Sequence, residues 1–471
     1  MRNGIVTTLI NLLHTMLSIL LRPFRKEKPI LIPYLPVELI ILIVEFSREN
    51  RKTIEACSLV CRAWLPAAHA VLFEHIMINA AEDLQETIDT KVARIGRYVN
   101  SVRALTLKRR NPFAESRVSL PTVRVVTSRF PNLKELEIVQ LWLHHHDLLP
   151  PSLIPETPRS TQVSTVGSLK TLKLVTACLD YPQEDNVSHM FYELLASFPT
   201  LEHFIYNYTT CQKTDIIPDI TQLVLPPLRT LSCRSMGRNF PMFLRSLQPV
   251  VWQLKTIDYT GRNTFLNNFI LLCEPKGIKD SLENLRFAVS LPEVRHNINI
   301  IDDTLVSEKD HAERCWNTLE LQTFTALRTI HIVINKGWFH THLHILQALP
   351  PTIRTLAFEL CWIEPGSKPQ DCLNGLTLLP FENVIGNSLP DLTEIFFMPH
   401  HLEQELGTDA QMFIRTQLAD LDARGLLRIV NRCDSERLED CQYERPKPPT
   451  SAIVGGVLAY GHPKLDFLWV N

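Results

Sequence analysis

Ten copies of one pattern, L-x-x-L-x-φ with φ apolar, recur between residues 102 and 397, and they narrow the folds open to this 471-residue chain more than any other feature does. The copies open at Val102, Leu133, Leu169, Leu201 and Leu228, and then at Leu254, Leu282, Leu327, Ile353 and Leu392. Their last two apolar positions, such as Leu105 with Leu107 or Phe204 with Tyr206, alternate with polar residues as one face of a strand does. Ahead of several copies, segments such as His189 to Phe198 and His340 to Leu349 place apolar residues at helical spacing. Phe130-Pro131, Phe198-Pro199, Leu349-Pro350 and Leu389-Pro390 then break the helix. Strand, turn and helix therefore recur, with leads 26 residues apart from Leu228 to Leu254 and 45 apart from Leu282 to Leu327.

That cadence resembles a degenerate leucine-rich repeat. The resemblance implies stacked β-α units, each adding one strand to a continuous sheet whose outward side chains bind proteins. The match departs three residues after φ, where Asn or Cys normally satisfies backbone groups inside the turn and only Asn335 and Cys361 conform. Residues 144 to 165, with Pro150, Pro151, Pro155 and Pro158, are expected to form an exposed loop, and residues 292 to 318 a second insertion. The outward strand positions carry no evident charge stripe or aromatic row, so they do not name a target.

Upstream, residues 33 to 73 hold more apolar side chains than a small helical unit needs for itself. Val37 to Phe46 is charged only at Glu38 and Glu45. Leu39, Leu42, Ile43 and Phe46 form one helical stripe, which Ile40, Ile41 and Val44 widen, and a helix apolar nearly all round is buried on more than one side. Pro36 suits the first turn, and Ser47 to Asn50 is polar enough to end the helix. A second helix is predicted through Ile54, Cys57, Cys61 and Trp64, and a third from Pro66 through Val71, Leu72 and Phe73. Two blocks here, Leu35-Pro36-Val37-Glu38-Leu39 and the run from Cys57 to Trp64 reading CSLVCRAW, resemble the F-box of large fungal families. The resemblance implies a helical module that docks on the Skp adaptor, and through it on cullin, in SCF (cullin-RING) ubiquitin ligases. Leu35, Pro36, Leu39, Ile40, Ile43, Val60 and Trp64 would form that contact, leaving the rest of the chain to recognise a protein substrate.

Gly4 to Leu21 is an uncharged run followed by Arg22, Arg25, Lys26 and Lys28. Three readings fit it: a membrane anchor with its basic flank in the cytosol, an interfacial or packed helix, or an extension without a folded role. Under the anchor reading the F-box still faces the cytosol. The net charge of -2 offers no global field for nucleic acid, and Lys108-Arg109-Arg110 is expected in a solvated loop. Eleven dispersed cysteines without a CxxC pair are expected to be reduced thiols, with Cys57 and Cys61 in a helical core, which favours a cytoplasmic or nuclear compartment.

Motifs for catalysis are missing: there is no P-loop, GxGxxG, HExxH or GxSxG. His144-His145-His146 diverge on any regular element, and His340, His342 and His344 open a helix, so neither run is expected to hold a metal. No cofactor or enzymatic activity is therefore expected.

The expected fold class is α/β: a small all-helical F-box followed by an irregular leucine-rich-repeat-like α/β solenoid. Residues 1–28 are assigned to a hydrophobic extension or anchor, 33–78 to the F-box-like domain and 95–430 to the repeat array. Residues 431–471 form a C-terminal segment whose apolar end, Ala452 to Val470, suits a cap. The expected function is that of a substrate-recognition adaptor. The alternative is a non-catalytic scaffold whose F-box-like hairpin only caps the array, with membrane contact through residues 4–21.

Overall fold

The structure, a computed structural model, describes residues 35–48, 50–80, 84–109, 117–144, 168–175, 178–179, 193–207, 210–211, 225–234, 253–262, 276–290, 320–335, 345–361, 379–399 and 406–430. The chain divides into two compact units, Met1–Ala68 and His69–Asn471. The hydrophobic segment 4–21, most of the loop 144–165, the insertion 292–318 up to its end, His340 to His344 and the C-terminal residues 431–471 lie outside the described residues.

The first unit is helical. Helix α1 (Val37–Phe46) begins where the Pro36 carbonyl accepts the Leu39 and Ile40 N–H groups, and it ends at Ser47, whose hydroxyl donates to the Ile43 carbonyl at 2.9 Å. Asn50 caps α2 (Arg51–Val60) by accepting the Thr53 N–H at 3.1 Å. Helix α2 stops sooner than its apolar spacing predicts. Cys61 adopts an extended backbone and its side chain is exposed, so only Cys57 of the pair joins the core. Trp64 is buried from the turn that follows, and α3 (Leu65–Leu72) starts with Pro66 in its first turn, where a proline does no harm.

The second unit is mixed α/β, built on a twelve-stranded parallel sheet. Its strands are β1 (His75–Ala80), β2 (Ala104–Arg109), β4 (Glu135–Val139), β6 (Thr171–Val175), β8 (His203–Asn207), β10 (Thr230–Arg234), β11 (Thr256–Arg262), β12 (Asn284–Ser290), β13 (Thr329–Asn335), β14 (Thr355–Cys361), β15 (Glu394–Pro399) and β16 (Leu427–Ile429). They lie side by side in the order in which they occur in the chain. Four short strands, β3 (Arg117–Ser119), β5 (Trp142–His144), β7 (Cys178–Leu179) and β9 (Thr210–Cys211), form a second parallel sheet. Each of the ten L-x-x-L-x-φ copies supplies one strand of the long sheet. Strand β1 adds another upstream, where Phe73, Ile76 and Ile78 repeat the spacing with Phe in the lead. Lys108 and Arg109 belong to β2 and not to a loop, because the strand runs two residues past the apolar alternation.

Register explains the core. All three apolar positions of all ten copies are 7 % exposed or less, so the pattern reports burial directly. The connecting segments supply the opposite layer where they are described. Helix α4 (Leu84–Ile95) buries Ile88 and Ile95. Helix α5 (Leu120–Ser128) is capped by Ser119, which accepts the Thr122 N–H at 3.2 Å, and buries Val123 and Val126. Of the two segments read as helical, residues 193–196 and 345–347 are helical, and Leu194, Leu195, Ile345 and Leu346 are buried.

The turns before the strands are tied together by backbone and hydroxyl groups. Each pre-strand carbonyl accepts two N–H groups from the next turn: Arg103 from Lys134 and Glu135, Lys134 from Lys170 and Thr171, and onward to Arg354, which accepts from Thr393 and Glu394. One residue ahead of the lead position, Ser168, Thr200, Ser281 and Thr352 donate to the Leu133, Leu169, Leu254 and Leu327 carbonyls at 2.8 to 2.9 Å. This hydroxyl ladder satisfies partly buried turn carbonyls.

Leu172→Ala, which empties a fully buried position, should lower the unfolding free energy by about 3 kcal/mol in urea titration. Thr200→Val, which removes one rung of the ladder, should cost about 1 kcal/mol. A Leu172→Ala effect below about 0.5 kcal/mol would contradict the assigned core.

Candidate functional site

Helix α1 is too short and too apolar to hide its own side chains. Burial takes Ile40, Ile43 and Val44, which share one narrow stripe at helical spacing. Val37, Leu39, Ile41, Leu42 and Phe46 remain 45 to 65 % exposed, and Leu59 of α2 is 84 % exposed. Of the nine large hydrophobic side chains exposed among the described residues, these six lie between residues 37 and 59, and only Met77, Val125 and Met412 lie elsewhere. Scattered exposed hydrophobics need no explanation, whereas six within two consecutive short helices stand out. The nearby ion pairs Arg48–Glu45 and Arg51–Glu55 are exposed and contribute little.

The seven residues expected at a partner contact divide by burial. Pro36 and Leu39 lie on the surface, Leu35 and Val60 are half-buried, and Ile40, Ile43 and Trp64 are inside. The stripe read as Leu39, Leu42, Ile43 and Phe46 is therefore split: Ile43 faces inward and the other three outward. Val37, Ile41 and Leu59 join the exposed set. Their signal is the surplus of apolar residues around α1, which implies apolar exposure without indicating the side that carries it.

The second unit carries a charged cluster on the sheet face opposite the core. Parallel register aligns Thr106, Glu137 and Lys173 with Ser232, Asp258, Arg286 and His331, all nearly buried. Arg286 spans three strands: Nη1 donates to Asp258 Oδ1 at 2.7 Å, and Nη2 donates to Glu359 Oε2 at 2.9 Å. Ser232 donates to Asp258 Oδ2 at 3.1 Å, and His331 Nε2 lies 2.8 Å from Glu359 Oε2. Thr106 donates to Glu137 at 2.9 Å, and Lys173 pairs with Glu135. Asp258 and Glu359 thus both pair with one guanidinium, which links β11, β12 and β14. Removing Arg286 would leave two buried carboxylates without their cation, a change that typically costs 3–5 kcal/mol.

Burial pushes the Cys233 thiol well above its usual range, and neighbouring Asp258 adds to the shift. Burial likewise raises Cys57, opposed by a backbone hydrogen bond, and raises the Tyr259 hydroxyl, with Cys233 contributing. These groups serve the core. His144 closes β5, while His145 and His146 lie outside the described residues. Among the described residues no three His, Cys, Asp or Glu side chains gather as a metal site, and no helix is long and apolar enough to cross a membrane.

No family model matches the sequence, and no curated protein matches it. Among solved structures, a Bacteroides fragilis protein determined by a structural-genomics consortium is similar at 13 % identity and a TM-score of 0.26, over 46 % of this chain and 69 % of that one. That likeness is too slight to bear on fold or function.

Two outcomes follow from the burial pattern. Because the thiolate is the reactive species, Cys61 should be alkylated in the folded protein at mildly basic pH while Cys57 and Cys233 are protected, as peptide-resolved mass spectrometry would read. Arg286→Met should lower stability by about 4 kcal/mol, and a loss below about 1 kcal/mol would show that the cluster does not hold the strands.

Proposed function

We propose that this chain is a non-enzymatic substrate receptor of an SCF (cullin-RING) ubiquitin ligase, of the kind found among fungal F-box proteins. The first unit acts as the F-box that docks on the Skp adaptor, and the second acts as an irregular leucine-rich-repeat-like solenoid that binds a protein target. The observation that carries this reading is the exposed apolar cluster of α1 and α2, which the helical unit does not use internally. Burying such partly exposed side chains at an interface contributes on the order of 1 kcal/mol apiece, enough across six of them to offset much of the cost of association. The sequential strand order supports the second half of the reading, since a sheet grown one unit at a time presents a long surface. Ubiquitin transfer would take place elsewhere in the assembly, in the cytoplasm or nucleus.

The test is co-expression of the full chain with the Skp adaptor, comparing the unmodified protein with a Leu39→Asp, Phe46→Asp pair. Both side chains are exposed, so the variant should keep its thermal unfolding midpoint while losing adaptor affinity by roughly a hundredfold or more. Unchanged affinity would reject the proposed contact. If the unmodified chain captures no adaptor, the scaffold reading takes its place.

A further inference from the structure

One position of the recurring turn is charged along nearly the whole sheet, and the strand-centred pattern does not reveal it. This is the residue just before each strand, whose carbonyl carries the double backbone hydrogen bond. Successive members lie one strand step apart, about 4.8 Å, and their side chains reach one another. Arg103 Nη1 lies 3.7 Å from Glu74, Lys170 pairs with Glu202, and Lys255 pairs with Glu283 at 2.6 Å. Arg328 reaches the next turn by donating to the Thr352 carbonyl at 3.3 Å.

Glu74, Glu202 and Glu283 are the acidic members of this row, and each is matched by one of those cations. Four cations are left over, Lys134, Arg229, Arg328 and Arg354, so the row is net basic in a chain whose total charge is -2. Lys134, Arg229 and Arg354 are exposed and form no ion pair among the described residues, while the Lys170 hydrogen bond and, less strongly, the charges of Lys170 and Arg229 hold the Glu202 carboxyl below its usual range. The acidic neighbour nearest Lys134 along the chain, Glu135, is taken up by Lys173.

We propose that this edge of the sheet is a docking strip for an extended acidic polypeptide segment, with Lys134, Arg229 and Arg354 as its principal contacts. Lys134 and Arg229 are three strand steps apart, about 14 Å, and Arg229 and Arg354 four steps, about 19 Å. An extended chain rises about 3.4 Å per residue, so acidic side chains four to six residues apart would meet these cations in turn. The interspersed glutamates, although paired, favour a polypeptide over nucleic acid. A strand with a phosphate on every nucleotide would set several against Glu202 and Glu283, whereas a polypeptide can place neutral residues there. The strip is independent of whether the first unit docks on an adaptor.

The experiment titrates the full chain into a fluorescein-labelled peptide of about twenty residues in which Glu alternates with Gly and Ser, and follows anisotropy at low and high salt. A Gln-for-Glu peptide and single-stranded polyuridine are run alongside. Salt-sensitive binding of the Glu peptide is expected, and Lys134→Glu, Arg229→Glu, Arg354→Glu together should weaken it at least about tenfold. A control with the same charge change off the row, Arg51→Glu, Lys52→Glu, Arg424→Glu, should weaken it by less than about threefold. The milder Lys134→Gln, Arg229→Gln, Arg354→Gln set should give an intermediate loss and guards against misfolding of the charge-reversed protein. Equal losses in the two charge-reversed proteins, tighter binding of polyuridine than of the Glu peptide, or no salt-sensitive binding would each overturn the proposal.

Discussion

The second unit depends on one repeated hydrogen-bond arrangement, in which the carbonyl before a strand accepts two N–H groups from the turn that follows. It recurs without interruption from Glu74 to Arg354 and sets the strands from β1 to β15 in the same parallel register. Once the register is set, side-chain parity is no longer free. The lead, second and third apolar positions fall in the core, the position between the last two falls on the opposite face, and the residue before the strand projects from the turn. The buried core, the Asp258–Arg286–Glu359 cluster and the charged row are therefore three products of one backbone geometry. At four turns a Ser or Thr hydroxyl adds a bond to the carbonyl of the preceding lead residue.

The strands were legible in the sequence because their apolar triplets face a dry interior, so pattern and burial are the same fact. Strand β1 was harder to see because Phe73 stands where the other copies carry an aliphatic lead and because it follows directly on helical sequence. The hydroxyl ladder was missed for a different reason. The expected polar position lies after φ, whereas this chain puts its Ser and Thr before the lead residue, at Ser168, Thr200, Ser281 and Thr352. The ion cluster could not be read at all, since Arg286 and Glu359 are far apart in sequence and meet only when β12 and β14 flank β13. In the first unit the helix limits of α1 were readable but its inward side was not. A helix with aliphatic residues on every side contains no contrast from which to choose Ile40, Ile43 and Val44 over Leu39, Leu42 and Phe46. Cys61 was misplaced because apolar spacing continues past the point where the backbone leaves the helix.

The two units offer surfaces of opposite physical character. Helices α1 and α2 expose aliphatic and aromatic groups, whose association is driven by removal of apolar area from water and changes little with salt. The turns of the long sheet expose cations beside paired glutamates, whose contribution lies in orientation and selectivity and fades as ions screen it. Under the two proposals above, the adaptor and the acidic segment would draw on different units and on different forces.

Strand order has a mechanical consequence. Every strand of the long sheet is hydrogen-bonded only to its neighbours in sequence, so a pull on one end loads a single strand's ladder at a time. An unfolding motor threading this unit would meet a series of similar small barriers and never the whole sheet at once. The resistance it felt would depend on the strand in its grip, and it would rise where Arg286 ties β11, β12 and β14 into one block.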